Sequence, residues 1–170
     1  TALCLAVCLD DPHVLLSQHG RAGHDRVMAA FEDRIAGAVR NGDVIRQLDG
    51  ARFAVSVSAQ LRIDLEAAIQ IAARMQKRLA EPISIDGTTV HVSASIGFCL
   101  PSRAPGQTGA ALLAAAEMAM SEAWANGPGA IRAFTADIRQ RVEQRDTMGA
   151  EIEAAFDNGE IVAFFQPQLS

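Results

Sequence analysis

The chain opens on an unbroken apolar run, Leu3-Cys4-Leu5-Ala6-Val7-Cys8-Leu9, closed by Asp10-Asp11-Pro12. A short apolar run with such punctuation predicts a buried strand. Over 23–40 the apolar residues Val27, Met28, Phe31, Ile35 and Val39 recur at helical intervals, which predicts a helix with one buried stripe. The pattern then shortens to two strands, 44–48 and 53–57, around Asp49-Gly50. An Asp-Gly pair there predicts a hairpin, because glycine supplies the positive φ of a tight turn.

Helical spacing returns over 61–79, with Leu65, Ile69, Ala72, Met75 and Leu79 on one stripe. Residues 83–87 and 90–97 alternate around a second Asp-Gly pair and predict a second hairpin. The Ala-, Leu- and Met-rich segment 110–125 favours helix, and 130–134 follows as a short strand. A charged helix over 138–156 carries a thin stripe of Ile138, Val142, Ile152 and Phe156, and 161–165 reads as a last strand. Hairpins mixed with crossover helices predict an α+β fold, a central mostly antiparallel sheet with helices packed on it. A length of 170 residues allows one sizeable core.

Composition narrows the function classes. A net charge of −5 offers no basic surface, so a nucleic-acid partner is not expected. Three cysteines without metal-ligand spacing point to reduced thiols and a cytoplasmic location. No apolar run approaches the ~20 residues of a membrane span. No membrane contact by this segment is therefore expected, although a longer parent protein is free to be membrane-attached. His13, His19, His24 and His91 share no spacing that builds a metal site, so neither metal nor cofactor is expected.

The hairpin tip Asp49-Gly50-Ala51-Arg52-Phe53 resembles the Gly-Gly-Asp-Glu-Phe turn of the diguanylate cyclase, or GGDEF, family. Ser95-Ile96-Gly97 and the stretch 116–129 resemble two further family segments, and Arg40-Asn41-Gly42-Asp43 has the spacing of the family's Arg-x-x-Asp inhibitory site. Phe164-Phe165-Gln166-Pro167 resembles the opening strand of an EAL phosphodiesterase domain. The resemblance implies an adenylyl-cyclase/ferredoxin-like GGDEF fold. It divides the chain into a GGDEF domain lacking its opening helix (1–136), a connector helix (137–159) and the first strand of an attached EAL domain (160–170).

The resemblance also assigns roles. The family's metal-binding carboxylates fall on Cys8 and Ala51, with Arg52 beside the second, and its phosphate-binding cations fall on Trp124 and Pro128. Its guanine-contacting Asn falls on Leu16, while the second guanine contact is kept as Asp25. A hard cation on a triphosphate demands oxygen ligands, so these replacements imply a degenerate site and a chain that is not itself an enzyme. Trp124 is expected to pack in place of a lysine stem and close the former pocket.

Arg40, Asp43 and Arg74 remain as a cyclic di-GMP site, since guanidinium grips phosphate or a guanine edge and carboxylate accepts from guanine N–H groups. The structural alternative makes Arg40 a helix-end cation, Asp43 a turn residue and Asp25 a first-turn helix acid. The expected function is a regulatory module modulating an attached EAL domain, with cyclic di-GMP as ligand. The alternatives are a ligand-free scaffold or homodimerisation module, and an allosteric GTP-binding domain. Leu16, Trp124 and Pro128 count against the last.

Overall fold

A computed structural model describes residues 2–58 and 63–160. Strand β1 (Ala2–Leu9) lies at the centre of a five-stranded sheet. Leu3, Leu5, Val7 and Leu9 pack into one core cluster, while Cys4 and Ala6 enter a second cluster across the sheet. The continuous apolar run follows from this burial on both faces.

Helix α1 (Pro12–Ala38) and helix α2 (Leu65–Leu79) cover the first face through Val27, Phe31 and Ile35, and through Ala68, Ala72, Met75 and Leu79. Helix α3 (Gly109–Ala125) covers the other face through Ala115, Ala116, Ala119 and Met120. The remaining strands are β2 (Val44–Asp49), β3 (Arg52–Ser58), β4 (Ile83–Ile85), β5 (Thr88–Val90), β6 (Ala94–Cys99) and β7 (Ile131–Ala133). The sheet order is β2-β3-β1-β6-β7, antiparallel except for β6–β7, as the α+β reading requires.

Helix α1 starts at Pro12, eleven residues before the predicted start at 23, and is kinked at Gly20 (φ 64°). Proline at the first helical turn costs no hydrogen bond, because that N–H has no partner in any case. Leu15 is the only buried residue ahead of the kink, too sparse a signal for periodicity to find. In α2, Ile69 is exposed and Ala68 takes its place in the core. Asp64 caps this helix, accepting from Ala67 N–H at 2.8 Å, and the predicted start at 61 lies outside the described residues.

The predicted second hairpin divides. β4 and β5 pair as a separate ribbon, whereas β6 leaves to add beside β1. Every residue of β6 is buried, a pattern that belongs at the middle of a covered sheet and not on an exposed ribbon.

Helix α4 (Ala136–Asp157) is capped by Thr135, buries Ile138 and is held on α3 through Glu122. Glu122 is buried and lies 3.1 Å from both Arg141 and Arg145. Among the described residues no helix is long and apolar enough to cross a membrane. The last predicted strand, 161–165, and with it the EAL-like segment, lies outside the described residues.

Candidate functional site

The end of β1 gathers most of the residues singled out in the sequence. Cys8 lies opposite Arg52 of β3 and opposite Ser95 of β6. The Leu9 N–H donates to the Ala51 carbonyl at 3.0 Å, which fixes the β2–β3 turn against the start of the β1–α1 loop. Cys8, Ala51 and Arg52 therefore converge, as their sequence assignment to one site requires.

Arg52 is committed within the turn. Its Nε donates to Asp49 Oδ1 at 2.6 Å, its Nη2 donates to Asp49 Oδ2, and its Nη1 lies 3.8 Å from Glu117. This bidentate contact holds the Asp49 carboxyl below its usual range. Cys8 is half-buried, and its thiol donates to the Leu9 carbonyl at 3.3 Å. Burial, helped by the Asp10 charge and opposed by Arg52, pushes the Cys8 thiol up to about 11. Cys4 and Cys99 are likewise pushed up to about 11, chiefly by burial. Against the ordinary value of 9.0 for a thiol, the thiolate fraction near neutral pH should fall by roughly two orders of magnitude. Folded protein is expected to react with an aromatic disulfide reagent at pH 7.5 about a hundredfold more slowly than protein in denaturant, and equal rates would contradict this burial.

Asp10 is the residue whose part the sequence did not reveal. It is 5% exposed, with Oδ1 accepting from Ser95 Oγ at 2.7 Å and Oδ2 from Ser93 Oγ at 2.7 Å and Gly129 N–H at 2.8 Å. Its own N–H donates to the Ser93 carbonyl at 3.0 Å. One carboxylate thus ties the end of β1, the start of β6 and the α3–β7 loop together.

The family resemblance implies a divalent cation at this end of β1. The donor set does not fit one. Asp10 is buried and already accepts three hydrogen bonds, Cys8 keeps its proton, the Ala51 side chain is only a methyl group and Arg52 brings positive charge. Among the described residues no group of three or more His, Cys, Asp or Glu is placed to hold a metal.

Trp124 departs from expectation. It is 57% exposed and does not close the pocket. With Asp10, Asp11, Ala125, Gly127 and Pro128 it lines a cleft of about 310 Å³. The last turn of α3 faces Asp10 and Asp11, which follow β1, across this cleft. A second cleft of about 420 Å³ shares Asp10 and Asp11 and runs between α1 and β5, past Val14, Gln18, His19 and His91. Leu16 and Asp25 line neither cleft. Leu16 is 45% exposed, and Asp25 stands five residues beyond the Gly20 kink with its Oδ1 3.3 Å from His24 Nδ1.

Arg40 and Asp43 close a turn between α1 and β2. Asp43 accepts from Arg40 N–H and from Ser58 N–H, each at 2.8 Å, and its own N–H donates to the Arg40 carbonyl at 3.0 Å. Helices α1 and α2 run antiparallel: Arg34 donates to the carbonyls of Leu79 (3.2 Å) and Pro82 (2.8 Å), and Arg78 donates to that of Gly37. Arg40, just beyond Gly37, and Arg74, one turn before Arg78, therefore lie toward the same end of the pair, and both are exposed.

The family profile described as diguanylate cyclase, GGDEF domain, matches residues 5–129. The chain is similar to the GGDEF domain of TpbB, also called YfiN, from Pseudomonas aeruginosa, with 29% identity and a TM-score of 0.76 over 84% of this chain and 81% of that one. It is also similar to an EAL/GGDEF domain protein from M. capsulatus, with 26% identity and a TM-score of 0.70 over 79% and 84% of the two chains. The bifunctional diguanylate cyclase/cyclic di-GMP phosphodiesterase MucR of P. aeruginosa is 26% identical over 95% of this chain but 23% of its own length. The chain thus spans about a fifth of the length of such curated relatives. These likenesses overturn the expectation that the chain is not an enzyme, because the matched family is one of diguanylate cyclases. The replacements at Cys8, Ala51 and Arg52 do not remove it from that family.

Proposed function

Because this chain belongs to the diguanylate cyclase GGDEF family, we propose that it regulates an attached EAL phosphodiesterase domain by binding cyclic di-GMP at Arg40, Asp43 and Arg74. Its setting is cyclic di-GMP signalling, shared with relatives drawn from GGDEF–EAL proteins. The observation that carries the reading is the closed Arg40–Asp43 turn at the same end of the antiparallel helix pair as Arg74. Two exposed guanidinium groups beside a fixed carboxylate suit a ligand with two phosphates and two guanine edges. The Asp43 oxygens already accept one backbone N–H each, which holds the carboxylate in place and leaves a further acceptor site on each oxygen.

Helix α4 is the connector in this reading. The Glu122 grip on Arg141 and Arg145 fastens it to α3, so a shift in the domain is carried into the helix that leads away from it. Titration calorimetry with cyclic di-GMP tests the site. Arg40→Ala is expected to weaken binding at least tenfold, roughly the loss of one charge-assisted contact to phosphate. Unchanged affinity in that variant would remove the site from consideration. A parallel titration with GTP and Mg²⁺ separates the allosteric GTP reading. Silence with both leaves a dimerisation module, for which exposed Met148, Ile152 and Phe156 of α4 offer the surface.

A further inference from the structure

We propose that Cys4 and Cys99 are a disulfide site, a covalent clasp between β1 and β6 that a small disulfide such as oxidised glutathione closes. The two residues are direct register partners where β1 pairs with β6. In the same ladder the Asp10 N–H donates to the Ser93 carbonyl, one step beyond the Leu9–Ala94 pair. Hydrogen-bonded pairs therefore fall at every second position, and Cys4–Cys99 is one of them. The Cα atoms of such a pair lie about 5.5 Å apart, within the roughly 4.4–6.8 Å that a disulfide spans.

The side chains also share a direction. Both enter the cluster beneath α3, Cys4 7% and Cys99 0% exposed, so they stand on one face of the sheet. Their sulfurs are near enough for charge on Cys4 to bear on Cys99. The bond that Cys99 gives up is a weak one, its thiol donating to the Leu100 carbonyl at 3.4 Å. Cys8, the third thiol, takes no part. It lies four residues along the same strand from Cys4, about 13 Å away, and its own register partners are Arg52 and Ser95.

Closure is two thiol–disulfide exchanges. One cysteine thiolate attacks a sulfur of oxidised glutathione, forming a mixed disulfide and releasing one glutathione. The other attacks the protein sulfur of that mixed disulfide, which closes the Cys4–Cys99 bond and releases the second glutathione. The two cysteines are oxidised, the glutathione disulfide is reduced to two thiols, and the two cysteine protons pass to them. Burial governs rate and direction alike. Both thiols are pushed up to about 11, so little thiolate is present to attack and the bond forms slowly. Thiolates so disfavoured also gain nothing from reduction, so the bond resists reversal once made. Cys99 is the last residue of β6, and local opening at the strand end admits the oxidant. A bond between residues 4 and 99 then ties off most of the domain and restricts the unfolded chain.

The test incubates folded Cys8→Ser protein with oxidised glutathione and follows intact mass, free thiols and melting. The expected result is a loss of about two mass units, the two thiol hydrogens, with disappearance of both thiols and no lasting glutathione adduct. The melting temperature should rise by about 5 °C or more, and Cys4→Ser in the same background should show no such rise. Survival of both thiols, a stable glutathione adduct on Cys4 or Cys99, or a disulfide-linked dimer overturns the proposal. A peptide map of the oxidised parent chain reads the pairing without any substitution. A Cys4–Cys99 cross-linked peptide is expected there, and a bond from Cys8 to either cysteine contradicts the assignment.

Discussion

Gly97→Ala is expected to destabilise the domain by about 3 kcal/mol or more, an overpacking cost at the upper end of the usual range. Gly97 lies on β6 beneath α3. A Cβ added there would sit 2.5 Å from the Ala119 carbonyl carbon, and closer still to the Met120 nitrogen and the Ala116 oxygen. All three obstacles are backbone, so no side-chain rotation relieves them. Helix α3 must lift off the sheet and give up part of the burial of Ala115, Ala116, Ala119 and Met120. At roughly 2–4 °C per kcal/mol for a chain of this size, the melting temperature should fall by about 6–12 °C. Gly109→Ala is the control, since nothing lies within 4 Å of the Cβ it adds, and its effect should stay within about 0.5 kcal/mol. Melts followed by circular dichroism decide the matter. Equal melting of the two variants would mean that α3 does not approach the sheet so closely.

Gly97 also marks the limit of reading from sequence. Its place in a strand was legible, although that strand runs on to Cys99 instead of ending at Gly97; the helix backbone above it was not. The β1 run was legible because a strand buried on both faces has no polar position to interrupt it. The first half of α1 was not, because it buries Leu15 alone before the kink. The division between β5 and β6 escaped alternation for a different reason. A period of two shows that residues are extended without saying which strand they join, and β6 pairs with β1 from the far end of the chain.

The candidate site was legible in the same uneven way. Cys8, Ala51 and Arg52 meet through strand register, which a hairpin and a neighbouring strand specify. The openness of Trp124 depends on where α3 ends relative to the sheet, and a sequence pattern does not carry that. Asp10 was passed over because its donors lie 83, 85 and 119 residues away in the chain.

That same residue should produce the other large effect. Asp10→Ala is expected to cost about 3–4 kcal/mol, less than the sum of three charge-assisted hydrogen bonds because they share one acceptor group. The Ser95 and Ser93 hydroxyls are free to rotate, but the Gly129 N–H is fixed by the backbone and is left without its acceptor. Asp10→Asn separates charge from geometry. With its carbonyl oxygen in the place of Oδ2, it still accepts from Ser93 and Gly129. Its amide then donates to Ser95 Oγ, whose hydroxyl reverses to accept. The expected cost is therefore only about 1 kcal/mol, the loss of charge assistance. Urea denaturation midpoints measure both variants on one scale. An alanine variant within about 1 kcal/mol of the parent would contradict the linking role of this carboxylate. An asparagine variant as unstable as the alanine one would show that the charge itself, and not the three-way acceptor, holds the end of β1, the start of β6 and the Gly129 loop together.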